Sequence, residues 1–90
     1  MEYEWDEAKR RPNLTKHGVD FTIAGSFEWT NAQTGLEDSH GDSEYRFRSL
    51  GMIGRFLHVL IWTEGRTAEC RIISLRKATP KEIRDYVRQI

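Results

Sequence analysis

The chain opens on an alternation. Tyr3 and Trp5 flank Glu4, which predicts a short first strand, Glu2 to Trp5, with both rings on one face. Asp6 is placed to cap a helix that starts Glu7-Ala8-Lys9-Arg10-Arg11 and ends at His17-Gly18, where glycine can take the left-handed cap. Pro12 interrupts that segment. It lacks the N–H a helix interior uses, so the helix is expected to begin later or to break and restart nearby. Asp20 caps a second short helix, Phe21 to about Trp29, with Phe21, Ala24 and Phe27 or Glu28 sharing a face. Thr30 to Ser43, rich in Asn, Gly, Asp and Ser, reads mostly as loop with room for a short edge strand.

Three strands follow. Tyr45 to Leu50 sets Tyr45, Phe47 and Ser49 against Arg46, Arg48 and Leu50, and Gly51 to Gly54 is read as the turn after it. Arg55 to Thr63 is apolar on both faces, as a central strand should be. Glu64-Gly65-Arg66 makes the next turn. In the last strand, Glu69 to Arg76, simple alternation sets Arg71, Ile73 and Leu75 on one face and Cys70, Ile72, Ser74 and Arg76 on the other. The final helix carries Thr79 as N-cap, Pro80 in the first turn and Glu82 completing a capping box. Its apolar stripe, Ile83, Tyr86, Val87 and Ile90, is suited to a sheet face or a partner. This order gives an α+β fold, a small antiparallel sheet packed against helices, as a single domain over residues 1–90.

Composition changes this picture in four ways. A chain of 90 residues supports one thin core and leaves little room for a deep private cofactor cavity, so no cofactor is expected. Cys70 is the lone cysteine, which rules out an internal disulfide, fits a reducing compartment and suits a buried small hydrophobe on a strand. Met1-Glu2-Tyr3-Glu4 shows no secretory signal, and Phe56 to Trp62 falls far short of a membrane span. The expected location is therefore the cytoplasm, with no membrane partner. Net charge is zero, yet polarised: residues 1–45 hold four Lys and Arg against ten Asp and Glu, and residues 46–90 hold ten against four. That total argues against nonspecific coating of nucleic acid but permits a local phosphate-facing patch.

Known phosphate loops, dinucleotide fingerprints and paired-cysteine metal motifs are missing from the sequence, and His17, His40 and His58 lack metal-ligand spacing, so no metal site is expected. What remains is a set of arginines on adjacent strands: Arg46 and Arg48, then Arg71 and Arg76. Guanidinium groups match phosphate bidentately and can stabilise charge developing at a scissile phosphodiester. RNA cleavage asks for little more, because the 2′-hydroxyl is an internal nucleophile. Each arginine has a competing role. Arg46 and Arg71 can pair with Glu44, Glu64 or Glu69, Arg76-Lys77 can be solvent-facing charge, and His58 fits a packing role better than that of a base.

Three segments read together carry a resemblance: Glu4-Trp5-Asp6-Glu7-Ala8-Lys9; Asn13-Leu14-Thr15-Lys16-His17-Gly18-Val19-Asp20-Phe21; and Arg71-Ile72-Ile73-Ser74-Leu75-Arg76-Lys77-Ala78, followed by Glu82 and Tyr86. In this order they resemble the BrnT toxins of bacterial type II toxin–antitoxin pairs, over essentially the whole chain. The resemblance implies a RelE-like fold and an endoribonuclease that needs neither metal nor ribosome and arrests translation. It also implies a BrnA-like ribbon-helix-helix antitoxin that neutralises the toxin in a 2:2 assembly and alone contacts operator DNA. By the same resemblance, Arg46, Arg71 and Arg76 are phosphate and transition-state groups, Lys16 or His17 serves proton transfer or positioning, and Glu44 is a weaker proton acceptor. Arg48, Ser74 and Lys77 are expected substrate-binding positions. Leu75 stands where the family usually has alanine, Pro12 is less expected, and the loop Gly35 to Ser43 lacks an arginine often found there. An inactive homologue kept for antitoxin binding and co-repression stays open beside the enzymatic reading.

Overall fold

The computed structural model describes residues 1–37 and 45–90. Glu44 and the loop residues Asp38, His40 and Gly41 therefore lie outside the described residues. Strand β1 (Tyr3–Trp5) leads into helix α1 (Glu7–His17), and 3-10 helices at Phe21–Ser26 and Trp29–Asn31 precede β2 (Gln33–Glu37). Strands β3 (Arg46–Ile53), β4 (Phe56–Glu64) and β5 (Cys70–Lys77) follow, and α2 (Pro80–Arg88) closes the chain. The sheet order is β1-β5-β4-β3-β2, antiparallel throughout except that β1 runs parallel to β5, so the sheet is mixed rather than purely antiparallel.

Local chemistry accounts for most of these boundaries. The Asp6 carboxylate accepts from the Ala8 N–H and starts α1, and Gly18, at φ 69°, donates its N–H to the Leu14 carbonyl and ends it. Pro12 does not break the helix, contrary to the sequence expectation. Ala8, whose carbonyl loses its partner there, is exposed to water, and both helix ends are capped. Asp20 caps the next segment as expected through the Thr22 N–H, but that segment winds as a 3-10 helix and stops at Ser26. It shares one face of the sheet with Phe27 and Trp29, whose rings meet edge to face at 4.8 Å.

The expected turn at Gly51 to Gly54 is shorter than the pattern suggested. Strand β3 runs through Gly51 to Ile53, and only Gly54 and Arg55 turn. Gly51 is needed for space instead: a Cβ there would sit 2.5 Å from the Phe27 ring. The aromatic side chain thus lies directly against strand backbone.

Two clusters fill the two sheet faces. On one, Val19, Phe21, Ala24 and Phe27 cover Ile53, Leu60, Cys70, Ile72 and Leu75, with Tyr3, Trp5, Trp29 and Trp62 around them. Phe21 is wholly buried, which stabilises by about 1.5–3 kcal/mol. On the other face, Leu50, Leu57 and Val59 meet Ala78 and Tyr86. Helix α2 covers only that end of the face. Its capping box forms as expected, but of its apolar stripe only Tyr86 packs on the sheet, while Ile83, Val87 and Ile90 are 43%, 57% and 88% exposed.

Cys70 is buried as expected, and burial pushes its thiol pKa up to about 12. His58 is also buried; its Nδ1 meets the Phe56 carbonyl at 2.8 Å, the packing role that the strand pattern favoured.

Candidate functional site

Arg71 and Arg76 are five positions apart, and strict alternation would set them on opposite faces. The structure overturns that expectation. Ile61 of β4 pairs with Ser74 and Trp62 pairs with Ile72, so Ile73 is an extra residue, a β-bulge in β5. The bulge resets the parity. Ile72 and Leu75 both enter the helix-covered core, and Arg71, Ser74 and Arg76 share the opposite face. Strand β3 adds to that same face, because Arg48 lies opposite Ile61, which in turn lies opposite Ser74. Arg46, two residues from Arg48 on the same strand, also shares it and is paired in register with Glu37 of β2. Four arginines from two strands thus look out over one side of the sheet, with α2 along its margin.

Their partners differ. The Arg71 Nη1 donates to Glu4 Oε2 at 2.6 Å, and Glu4 Oε1 accepts the backbone N–H groups of Arg66, Thr67 and Ala68. Those backbone bonds, Ala68 and Thr67 foremost, and the Arg71 pairing hold the Glu4 pKa down at about 2. Gly65 is the residue that lets this turn close, since a Cβ would fall 1.9 Å from the Ala68 carbonyl oxygen. Arg71 therefore pairs with neither Glu64 nor Glu69; its partner comes from β1.

Arg76 and Arg48 converge on one carboxylate. Arg76 donates to Glu82 through Nη1 at 2.7 Å and Nη2 at 2.9 Å, a bidentate pair, and Arg48 Nη2 donates to the same Glu82 Oε2 at 2.6 Å. The Thr79 N–H donates to Glu82 Oε1 at 2.8 Å. The Arg76 guanidinium, helped by Thr79 and Arg48, keeps Glu82 ionised far below the usual carboxylate range. Arg76 is thus no solvent-facing charge. In the sequence Glu82 reads as a helix cap and as part of the family resemblance, and its grip on two strand arginines carries no local signature.

Lys16 and His17 occupy the last turn of α1 beside β5. With Pro12, Ile73 and Ser74 they line a shallow hollow of about 280 Å³. The His17 pKa is lowered, chiefly by burial and then by the positive charges of Lys16 and Arg76, so the imidazole favours its neutral form. Asn13, the one buried residue of α1, fastens this helix to β5: its Nδ2 donates to the Leu75 and Val19 carbonyls, and its Oδ1 accepts from the Leu75 N–H. Lys77 is not part of the group. It lies across from buried His58, on the other side of the sheet from Arg76, with its ammonium 4.3 Å from the Phe56 ring centre.

A small mixed sheet with helices packed against it is the fold of the RelE-like ribonuclease toxins. The structure is similar to the 1.1 Å crystal structure of the Brucella abortus ribonuclease toxin BrnT, with a TM-score of 0.60 and 26% sequence identity over 88% of this chain and 97% of that one. The family model described as the ribonuclease toxin BrnT of type II toxin–antitoxin systems matches residues 5–82, and the chain belongs to that family. A comparison with curated proteins finds no match.

Proposed function

We propose that this protein is an endoribonuclease toxin that cleaves RNA without a metal ion or the ribosome, and that a ribbon-helix-helix antitoxin of the BrnA type neutralises it in a 2:2 assembly. The observation that carries the reading is the shared face of Arg46, Arg48, Arg71, Ser74 and Arg76, created by the bulge at Ile73. Family membership supports it, since the matching model describes a ribonuclease toxin.

In this reading a phosphodiester lies over Arg48 and Arg76. The 2′-hydroxyl attacks the adjacent phosphorus, the 5′-oxygen leaves, and the products are a cyclic 2′,3′-phosphate and a free 5′-hydroxyl. Negative charge grows on the nonbridging oxygens during attack, and fixed guanidinium groups stabilise it more than they do the ground state. His17, held toward its neutral form in the hollow it shares with Ser74, is suited to take the 2′-hydroxyl proton or to orient that hydroxyl. Lys16 adds a cation at the same edge. DNA contact belongs to the antitoxin.

The test is cleavage of single-stranded RNA by purified protein in EDTA, without ribosomes, against Arg76→Ala. Cleavage that disappears in the folded variant supports the reading. A folded wild-type protein that binds its antitoxin but leaves RNA intact removes it and favours a non-catalytic binding partner.

A further inference from the structure

Glu82 does more than cap a helix. Arg48 and Arg76 stand on strands separated by β4, so their backbones lie roughly 10 Å apart. Two like charges left alone on such a surface would diverge. Yet Nη2 of Arg48 and Nη2 of Arg76 both donate to Glu82 Oε2, at 2.6 and 2.9 Å, so they are at most the sum of those distances apart, about 5.5 Å. One carboxylate gathers both guanidinium groups.

Glu82 is itself held rigidly. Its side chain is only 13% exposed, it occupies the third helical position of α2, and its Oε1 is fixed by the Thr79 N–H. The gathering leaves donors over. Each guanidinium carries five N–H groups. Among the described residues, Arg76 directs Nη1 to Glu82 and to the Lys77 carbonyl and Nη2 to Glu82, which leaves the Nε–H and the second Nη2–H, and Arg48 commits only Nη2. The carboxylate also cancels one of the two positive charges, so the pair carries a net charge near plus one.

We propose that Glu82 is a positioning residue for the phosphate site. It sets the spacing and the net charge of the Arg48–Arg76 pair, so that the pair presents converging donors to one phosphodiester without gripping every RNA phosphate strongly. This rests on the ribonuclease reading for the bond that is cut, but not for the phosphate that is bound.

The two properties separate in Glu82→Gln. The amide keeps the volume but loses the charge, and it offers only one acceptor oxygen. A 2′-O-methyl oligonucleotide, which cannot be cleaved, should bind three- to tenfold more tightly, with the slope of log affinity against log salt steeper by about 0.7. On ordinary RNA, kcat should fall at least tenfold while KM falls as well, because charge is gained and alignment is lost. Glu82→Asp keeps the charge but retracts the carboxylate, so kcat should fall with the salt slope unchanged.

Val87→Gly, at an exposed position of α2 away from Glu82, controls for helix stability: it should lower stability and leave kcat and the salt slope as in the wild type. A wild-type salt slope and affinity in a folded Glu82→Gln overturn the proposal, as does a kcat loss no larger than that of Val87→Gly. If the wild type cleaves nothing, the oligonucleotide measurement still decides. A steeper slope in Glu82→Gln then supports a phosphate site tuned by Glu82, and an unchanged slope removes it. Should Glu82→Gln not fold, Glu82→Asp decides alone: a fall in kcat or, without cleavage, weaker binding at an unchanged salt slope supports positioning, and wild-type values overturn it.

Discussion

The side-chain amide of Asn13 takes the place of a neighbouring strand for Leu75, donating to its carbonyl at 2.7 Å and accepting from its N–H at 3.3 Å. Strand β1 covers the outer edge of β5 only from Cys70 to Ile72. Beyond that point the edge is buried under α1, and backbone groups there need a partner. Asn13→Ala leaves the Leu75 N–H and C=O unpaired in the interior and should cost about 2–4 kcal/mol. Asn13→Asp keeps the acceptor but turns a donor toward two carbonyls into a charge, so it should be at least as harmful. Urea unfolding monitored by tryptophan fluorescence measures both. A loss below half a kcal/mol in either would show that water replaces the amide.

How much of this was legible beforehand follows from the range of each interaction. Caps are written within four residues, so Asp6, Gly18, Asp20 and the Thr79–Glu82 box stood in the sequence and appear in the structure. Strand alternation also survived where the ladder is regular, in β3 and β4. The bulge at Ile73 was not legible, because an extra residue is visible only against the partner strand that fails to match it. Reading β5 as regular therefore split Arg71 from Arg76. For the same reason the sequence suggests Glu64 or Glu69 for Arg71, whereas the partner is Glu4, 67 residues away. The RelE-like fold and the family were legible because their motifs are spread over the whole chain.

Gly51 tests the contact between backbone and ring. Gly51→Ala would drive a methyl to 2.5 Å from the Phe27 Cζ, and Phe27 is backed by Trp29, so the ring has little room to retreat. The expected loss is about 1–3 kcal/mol. Phe27→Leu removes the ring and should recover part of that loss in the double variant, seen as a positive coupling in a double-mutant cycle. Strict additivity would place the strain elsewhere.

Acid should weaken the fold in part through Glu4. Its folded pKa lies near 2 against an ordinary 4.5, so between those values the unfolded chain binds more protons than the folded one. Stability from this carboxylate is therefore complete above about pH 4.5 and is lost as pH falls toward 2. Glu82, also held low by its arginines, loses its contribution in the same direction as pH falls. Glu4→Gln should be less stable at pH 7 and show a flatter fall of the urea midpoint below pH 4.5. An unchanged acid profile would mean that the Glu4 pairing does not hold the folded state.

Cys70 gives a probe of opening. With the side chain fully buried on β5 beneath Tyr3 and the thiol pKa pushed up to about 12, a thiol reagent at pH 7–8 should leave the native protein unlabelled and react once urea unfolds it. Labelling under native conditions then reports detachment of β1 from β5. Mild removal of the Glu4 tether, as in Glu4→Gln, should speed that labelling, whereas Thr79→Ala at the far helix should not.

The coupling of His17 to Arg76 is the most direct check on the geometry of the candidate site. Burial, Lys16 and Arg76 all lower the His17 pKa below its ordinary 6.5. The folded protein therefore binds this proton less readily than the unfolded chain does. Stability from the neutral ring is complete above 6.5 and falls as pH drops through the folded value. Arg76→Gln removes one of the two cations and should raise the His17 pKa, read from the imidazole C–H resonances during an NMR titration. His58 serves as the internal reference, since its pKa is lowered by burial and by Lys77, with no part for Arg76. Any cleavage activity of the wild type should depend on pH through the same group, rising as His17 loses its proton. If the His17 titration is identical in wild type and Arg76→Gln, the imidazole is too far from the arginine face to act on a phosphate bound there, and the proton must be taken by another group.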